Sequence, residues 1–435
     1  MKLLLKNCDI LASDGADGYR WIKNGYLGID GDTIDYLSDQ APEASYDQEK
    51  DMGGKLLCPG LINCHGHTPM TLLRGVGSDL PLQEWLFEKM MPIEDQFTKE
   101  DIRIGNRLAL LEMISTGTTS YSDMYFHADT AVENARQAGI KANLCRPNQC
   151  FNAAETYAEN ARAKESIELY KAYNGAESGR ILIDFAIHAE YTNFPHIVEA
   201  YSADCKALGG RMHIHLSETQ TEHEECKQRH GLTPAAYMEA HGIFDSPTTA
   251  AHCVWLEDED FDILKKHNVS VACCPASNLK LASGYANIPK MLEKGINIAL
   301  GTDGAASNNN LNIFQDIYLF GVVYKGFYHD STLLTPAQVL HTATRAGALS
   351  QGRTDCGKLA VGYKADLCVI DTDTPQFTPM TDAACNVVYA AQGADVRLTM
   401  VDGEVLYRDG EFKTIDIEKV KAETQKRTDA ILRRL

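Results

Sequence analysis

The chain has 435 residues, 44% of them apolar and 23% charged, with a formal net charge of −19. That length exceeds one small core and suits a large barrel with a smaller appended unit. The acidic balance and the lack of any Lys/Arg cluster exclude a nucleic-acid binder, which needs a basic face for phosphates. No run of eighteen apolar residues is present to span a membrane.

Thirteen cysteines are scattered along the chain without a CxxC pair. The pattern suggests neither a thiolate zinc knuckle nor a disulfide framework, and it suits reduced, buried thiols in a soluble cytoplasmic protein.

The chain opens on Met1-Lys2-Leu3-Leu4-Leu5, but Lys6, Asn7 and Asp9 interrupt it before a signal-peptide core can form. A β-strand is expected instead. Residues 1–55 hold short strand-like runs divided by Asp14-Gly15, Asn24-Gly25 and Asp30-Gly31, pairs that favour turns.

From about residue 56 to 350, short apolar runs alternate with helix-length amphipathic stretches. Eight runs are predicted as strands: Leu56–Cys64, Thr118–Met124, Ala142–Arg146, Ile181–His188, Arg211–Leu216, Thr249–Val254, Ser270–Cys274 and Ile296–Gly301. Helices are predicted between them, among others at Lys99–Thr116, Ala128–Ala138, Ala154–Tyr173, Phe194–Leu208, Thr233–Ala240, Glu259–Lys266 and Ile288–Glu293. Eight strand–helix repeats are the pattern of a (β/α)8 TIM-type barrel. A doubly wound sheet is disfavoured, because no GxGxxG follows the first strand.

Residues 357–413 return to short strands, punctuated by Val361-Gly362, Asp402-Gly403 and Asp409-Gly410. An amphipathic helix over Ile417–Leu435 closes the chain. The expected organisation is therefore an α/β barrel over residues 58–351. A small β-sandwich domain is expected from the two terminal segments, 1–57 and 352–435, the closing helix included.

Catalytic groups in such barrels stand at the C-terminal ends of the strands. Here the first run ends in His65-Gly66-His67, the fourth in His188 and the fifth in His215, with Glu218 three residues on. The sixth includes His252, and the eighth is followed by Thr302-Asp303. Residues two apart on a strand point the same way, so His65 and His67 can face one ion. Three imidazoles and a carboxylate suit zinc, and His65, His67, His215 and Asp303 are the expected ligands. His213 shares a face with His215 but sits deeper, and is expected to support the ligands or pack. Glu218, His252 and Asp303 are the candidate catalytic residues.

The stretch Pro59-Gly60-Leu61-Ile62-Asn63-Cys64-His65-Gly66-His67 resembles the opening signature of the amidohydrolase superfamily. His215-x-x-Glu218, Ala251-His252-Cys253 and Gly301-Thr302-Asp303-Gly304 match its later stations. Thr68–Gly75, Glu84-Trp85-Leu86, Pro275–Leu281 and Asp303–Asn309 resemble one branch, the 5′-methylthioadenosine/S-adenosylhomocysteine deaminases. Guanine deaminases and triazine hydrolases share the frame.

The resemblance implies hydrolytic removal of ammonia from an adenosine-type nucleoside, with one metal, usually zinc, per chain. It implies substrate contacts at Glu84 (to the ribose hydroxyls), at Arg146 and Arg162 (to a homocysteine carboxylate), and at His188. Binuclear relatives use a carboxylated lysine on the fourth strand. Ile183–His188 contains none, which independently supports a single metal. The expected partner is a small-molecule nucleoside, with no nucleic acid and no membrane, and the chain is expected to form a homo-oligomer.

Overall fold

The computed structural model describes residues 2–433; Met1 and the last two residues of the expected closing helix, Arg434 and Leu435, lie outside the described residues. Two sheets organise the chain. The first is mixed and is built from both termini. Its strands are β1 (Lys2–Asp14), β2 (Gly18–Asp30), β3 (Thr33–Ser38), β4 (Gln48–Asp51) and β5 (Leu56–Pro59). The second is parallel. It runs in order through β6 (Leu61–Asn63), β7 (Thr118–Met124), β8 (Lys141–Asn148), β9 (Ile181–Ile187), β10 (Met212–Leu216), β11 (Thr248–His252), β12 (Ser270–Cys273) and β13 (Ile298–Leu300). The chain then returns to the mixed sheet as β14 (Leu367–Ile370), β15 (Val396–Val401), β16 (Glu404–Arg408) and β17 (Glu411–Phe412).

All eight barrel runs form strands, and the ring closes where Cys64 N–H donates to Leu300 O at 2.8 Å. The first run divides at Gly60. Leu56–Pro59 pairs with β1 and β14 of the mixed sheet, whereas Leu61–Asn63 pairs with β7 of the barrel. A Cβ at Gly60 would lie 2.3 Å from the Thr119 side chain, so only glycine lets the strand pass from one sheet to the other here.

The mixed sheet curls over its own core, in which Leu27 and Ile29 of β2 meet Val369 and Met400 of the C-terminal strands. The expected turn at Asn24-Gly25 does not form. β2 runs through it, Asn24 takes a positive φ of 51°, and its N–H donates to Asp9 Oδ1. The pairing register with β1 shifts nearby, a bulge where a turn was expected.

Several helices begin where a side chain caps them. Thr98 and Asp101 form a reciprocal capping box at the start of Lys99–Ser115. The helix expected from Ala154 starts only at Ala161, because Asn160 accepts the Ala163 N–H at 2.7 Å and fixes the N-terminus there. Gln220–His230 is helical although it carries no apolar period, and Thr219 caps it. The last helix, Ile417–Leu432, lies against the barrel side: Arg427 reaches Asp101, and Thr428 Oγ1 donates to Leu72 O.

Candidate active site

The C-terminal ends of the barrel strands surround a cavity of about 510 Å³. His67, His188, His215, Glu218, His252 and Asp303 all line it. His65 lies beneath them with no exposed surface. Each group arrives by the same local rule, a strand that ends by turning its last polar side chain inward. The turns are strained: Ser217, His252, Cys253 and Asp303 have φ of 47°, 71°, 50° and 61°. Non-glycine residues adopt this region sparingly, and such positions concentrate at functional sites.

The imidazoles are fixed from behind. His67 Nδ1 lies 2.7 Å from Met124 O, and His215 Nδ1 lies 2.7 Å from His188 O. A carbonyl only accepts, so both Nδ1 atoms carry the proton and both Nε2 atoms present lone pairs. Those two Nε2 atoms lie 3.2 Å apart. His65 Nε2 is buried without a hydrogen-bond partner, 3.5 Å from Asp303 Oδ1, and His67 Nε2 is 3.3 Å from the same oxygen. Asp303 Oδ2 is held by Ser277 and Ser307 hydroxyls at 2.6 and 2.9 Å. Two groups, His65–His215–His252 and His65–His67–Asp303, each bring their donor atoms within 4.8 Å of one another.

Lone pairs facing lone pairs in a desolvated pocket repel, and a bound cation is what makes the arrangement favourable. The donor set, neutral imidazoles and a carboxylate, is the chemistry of a divalent transition-metal site. Burial pushes the pKa of His65 down to about 4, and burial with neighbouring imidazoles holds His215 well below its ordinary range. Both rings are thus kept neutral, as ligands must be.

Glu218 sits beside this cluster. Its Oε2 is 3.8 Å from His252 Nε2, and the Ser283 hydroxyl lies 3.5 Å from its Oε1. Burial raises the Glu218 pKa, partly opposed by His252. His252 is oriented through its Nδ1, 2.9 Å from Asn278 Oδ1. The turn carrying Glu218 is itself anchored. Glu222 accepts the N–H of Ser217 at 2.9 Å and of Glu218 at 2.7 Å, one on each carboxylate oxygen.

His213 stands behind His65, its Nε2 2.9 Å from His65 Nδ1. His188 packs its ring 4.8 Å from that of His215 and reaches the cavity. Arg146, at the end of β8, and Arg162, on the helix Ala161–Tyr173, line the outer cavity.

Glu84 is not brought to the site. It is exposed and does not line the cavity, so its assignment to the ribose hydroxyls is corrected. The carboxylate at that wall is Glu94, ten residues on. It lines the cavity, accepts a hydrogen bond from Tyr125 Oη, and burial pushes its pKa up to about 7. The sequence offers little to separate the two, since both lie in one glutamate-containing helical segment before Lys99. Glu222 and Glu165 are equally silent there: Glu222 closes back onto the backbone of Ser217 and Glu218, and Glu165 meets Arg146 only through the fold.

A parallel barrel whose strand ends gather imidazoles and carboxylates around one cavity is the architecture of a hydrolase. A model of the amidohydrolase family matches residues 56–406. A 5-methylthioadenosine/S-adenosylhomocysteine deaminase from Acetivibrio thermocellus is 38% identical, the match covering all of both chains. One from Moorella thermoacetica is 40% identical over 98% of this chain and 99% of its own. Among solved structures, an adenosine deaminase from Xanthomonas campestris with bound zinc superposes with a TM-score of 0.91 at 28% identity, covering 99% of this chain and 98% of that one. The chain belongs to the amidohydrolase family.

Proposed function

We propose that this protein is a zinc-dependent hydrolytic deaminase of adenosine-type nucleosides, 5′-methylthioadenosine and S-adenosylhomocysteine above all. The observation that carries the reading is the meeting of converging imidazole lone pairs, Asp303 and the buried acid Glu218 in one cavity that Arg146 and Arg162 also line. Residues 58–351 are then the catalytic barrel, and the terminal segments its support. His65, His67, His215 and Asp303 would hold one zinc ion. When bound, zinc supplies hydroxide at neutral pH by lowering the pKa of water from 15.7 to about 7.

The chain's own residues do the rest. Glu218 takes the proton of the attacking water and delivers it to the ring nitrogen beside carbon 6 of adenine. His252 and Asp303 orient the water and stabilise the tetrahedral intermediate. A proton returned to the amino group lets ammonia leave, so adenine plus water becomes hypoxanthine plus ammonia. Glu94 would accept hydrogen bonds from the ribose hydroxyls, and His188 would pack against the bound nucleoside. Arg146 and Arg162 suit a tail carboxylate.

Among the described residues, no helix is long and apolar enough to cross a membrane. All thirteen cysteines are free and twelve are buried, which supports a reducing compartment such as the cytoplasm. A homo-oligomer remains our expectation, to be read by light scattering.

The test is turnover. Ammonia release should accompany the ultraviolet change from adenine to hypoxanthine on both named substrates, with about one zinc per chain by elemental analysis. Turnover of guanine or a chloro-triazine in place of these nucleosides would sink the assignment, and two metals per chain would sink the mononuclear site.

A further inference from the structure

The outer cavity holds a negative charge that a site for a bare carboxylate does not need. Glu165 lines the same cavity as Arg146 and Arg162. It stands three residues after Arg162 on the helix Ala161–Tyr173, so the two side chains share a face. Its Oε2 accepts a hydrogen bond from Arg146 Nε at 2.8 Å, while Arg146 Nη1 donates to Pro147 O at 2.7 Å. These contacts fix the guanidinium in one orientation. Among the described residues, no hydrogen bond occupies Arg146 Nη2 or Glu165 Oε1. Arg162 uses Nη1 on Gln149 O at 3.1 Å. The Glu165 side chain is 44% exposed, open to a ligand, and that of Arg146 is 11% exposed.

Two guanidinium groups and one carboxylate therefore face one volume, with both signs of charge presented. A carboxylate ligand alone would gain from the arginines and be repelled by Glu165. An α-amino acid satisfies both, because its ammonium lies two bonds from its carboxylate carbon. We propose that Glu165 is a specificity residue that accepts the ammonium of an amino-acid tail, so that with Arg146 and Arg162 it makes the outer cavity a subsite for a zwitterion. This rests on the deaminase reading above and adds to it a preference, among its substrates, for those whose thioether arm ends in a free amino acid.

The test compares three substrates: S-adenosylhomocysteine, its analogue with the α-amino group replaced by hydrogen, and 5′-methylthioadenosine. The zinc-loaded wild type should favour the first over the amine-free analogue by about five- to twenty-fold in kcat/KM, the range of a partly exposed charged hydrogen bond. Glu165→Gln should erase that preference, losing efficiency on S-adenosylhomocysteine through KM and losing none on the other two. Glu165→Asp should keep part of it. An equal loss on S-adenosylhomocysteine and its amine-free analogue would reduce Glu165 to a clamp on Arg146 and overturn the proposal. So would a wild type indifferent to the amine, or a loss shared by 5′-methylthioadenosine. Wild-type protein that deaminates none of the three overturns the functional reading, and this proposal with it.

Discussion

The two ends of the barrel bury polar side chains in opposite ways. At the N-terminal end, beside the mixed sheet, charges meet their complements. Lys141 Nζ lies 2.5 Å from Asp366 and 2.6 Å from Asp402, and the Lys141 and Asp366 side chains are 4% exposed. Arg353 donates to the carbonyls of Gly179, Ala142 and Arg180, and Asn143 Nδ2 to Asp184 and Gln351 O. At the C-terminal end, acceptors face acceptors, and His65 Nε2 and His188 Nδ1 have no partner. Buried polar groups elsewhere in proteins are overwhelmingly paired. The floor sets its charges against opposite charges or carbonyls and joins the two sheets, although Asn143 Oδ1 and Arg353 Nε there lack a partner; the rim turns imidazole nitrogens toward one another where a ligand is needed. What separates the two ends is charge: the floor sets lysine and arginine against carboxylates and carbonyls, and the rim gathers imidazoles around Asp303.

The rim half of that comparison is broken most directly at Glu218. Glu218→Gln keeps the shape and removes the proton carrier. Turnover should fall by about 10²–10⁴-fold, the usual contribution of positioned proton transfer, while zinc content and the unfolding midpoint hold. Activity within a few-fold of the wild type would take Glu218 out of the reaction.

The floor half is tested at Lys141. Lys141→Met fits the space but leaves Asp366 buried without its cation, while Asp402 keeps Arg180. Breaking such a pair costs about 3–5 kcal/mol, so chemical denaturation should begin at much lower urea, with kcat per folded molecule unchanged. A stable Lys141→Met, or one that unfolds no earlier yet loses kcat, would mean that floor and rim are not separate in this way.

Much of the frame was legible because it follows periodicity. All eight barrel strands, and histidines at their ends, can be read from apolar runs that stop at a polar residue. Hydrogen-bond partnership could not be read so: Pro59-Gly60 marks a break in Leu56–Cys64, but both halves are equally apolar and the break does not say that the first belongs to another sheet. Gln220–His230 escaped for a related reason. It is polar all round, and its helix is set by a cap and by Glu222 reaching back, not by an apolar stripe. Glu84 against Glu94 marks the same boundary. Residue type and approximate position suit either, and only the course of the segment before Lys99 puts Glu94 in the cavity wall.

The smallest expected effect concerns a carboxyl that belongs to neither pattern, paired like the floor yet without a cation. Asp316 is fully buried beneath the rim loops. It accepts the Ala276 N–H at 3.0 Å and the Asn308 side-chain amide at 3.1 Å, and so ties together the segments that carry Ser277, Asn278 and Asp303. Burial pushes its pKa up to about 7 from an ordinary 3.8, against the pull of those two donors. The folded chain therefore binds this proton more tightly than the unfolded chain. The stability it contributes is complete below about pH 4 and is lost as pH rises through about 7. Between pH 5 and 7 the loss is on the order of 2–3 kcal/mol, at about 1.4 kcal/mol per unit. Asp316→Asn stays neutral throughout. Whatever its absolute stability, its unfolding free energy should fall less over that interval than that of the wild type, both proteins being zinc-loaded. Parallel pH profiles for the two would show that Asp316 is ionised in the fold at pH 5, and that its two donors suffice where the floor uses a lysine.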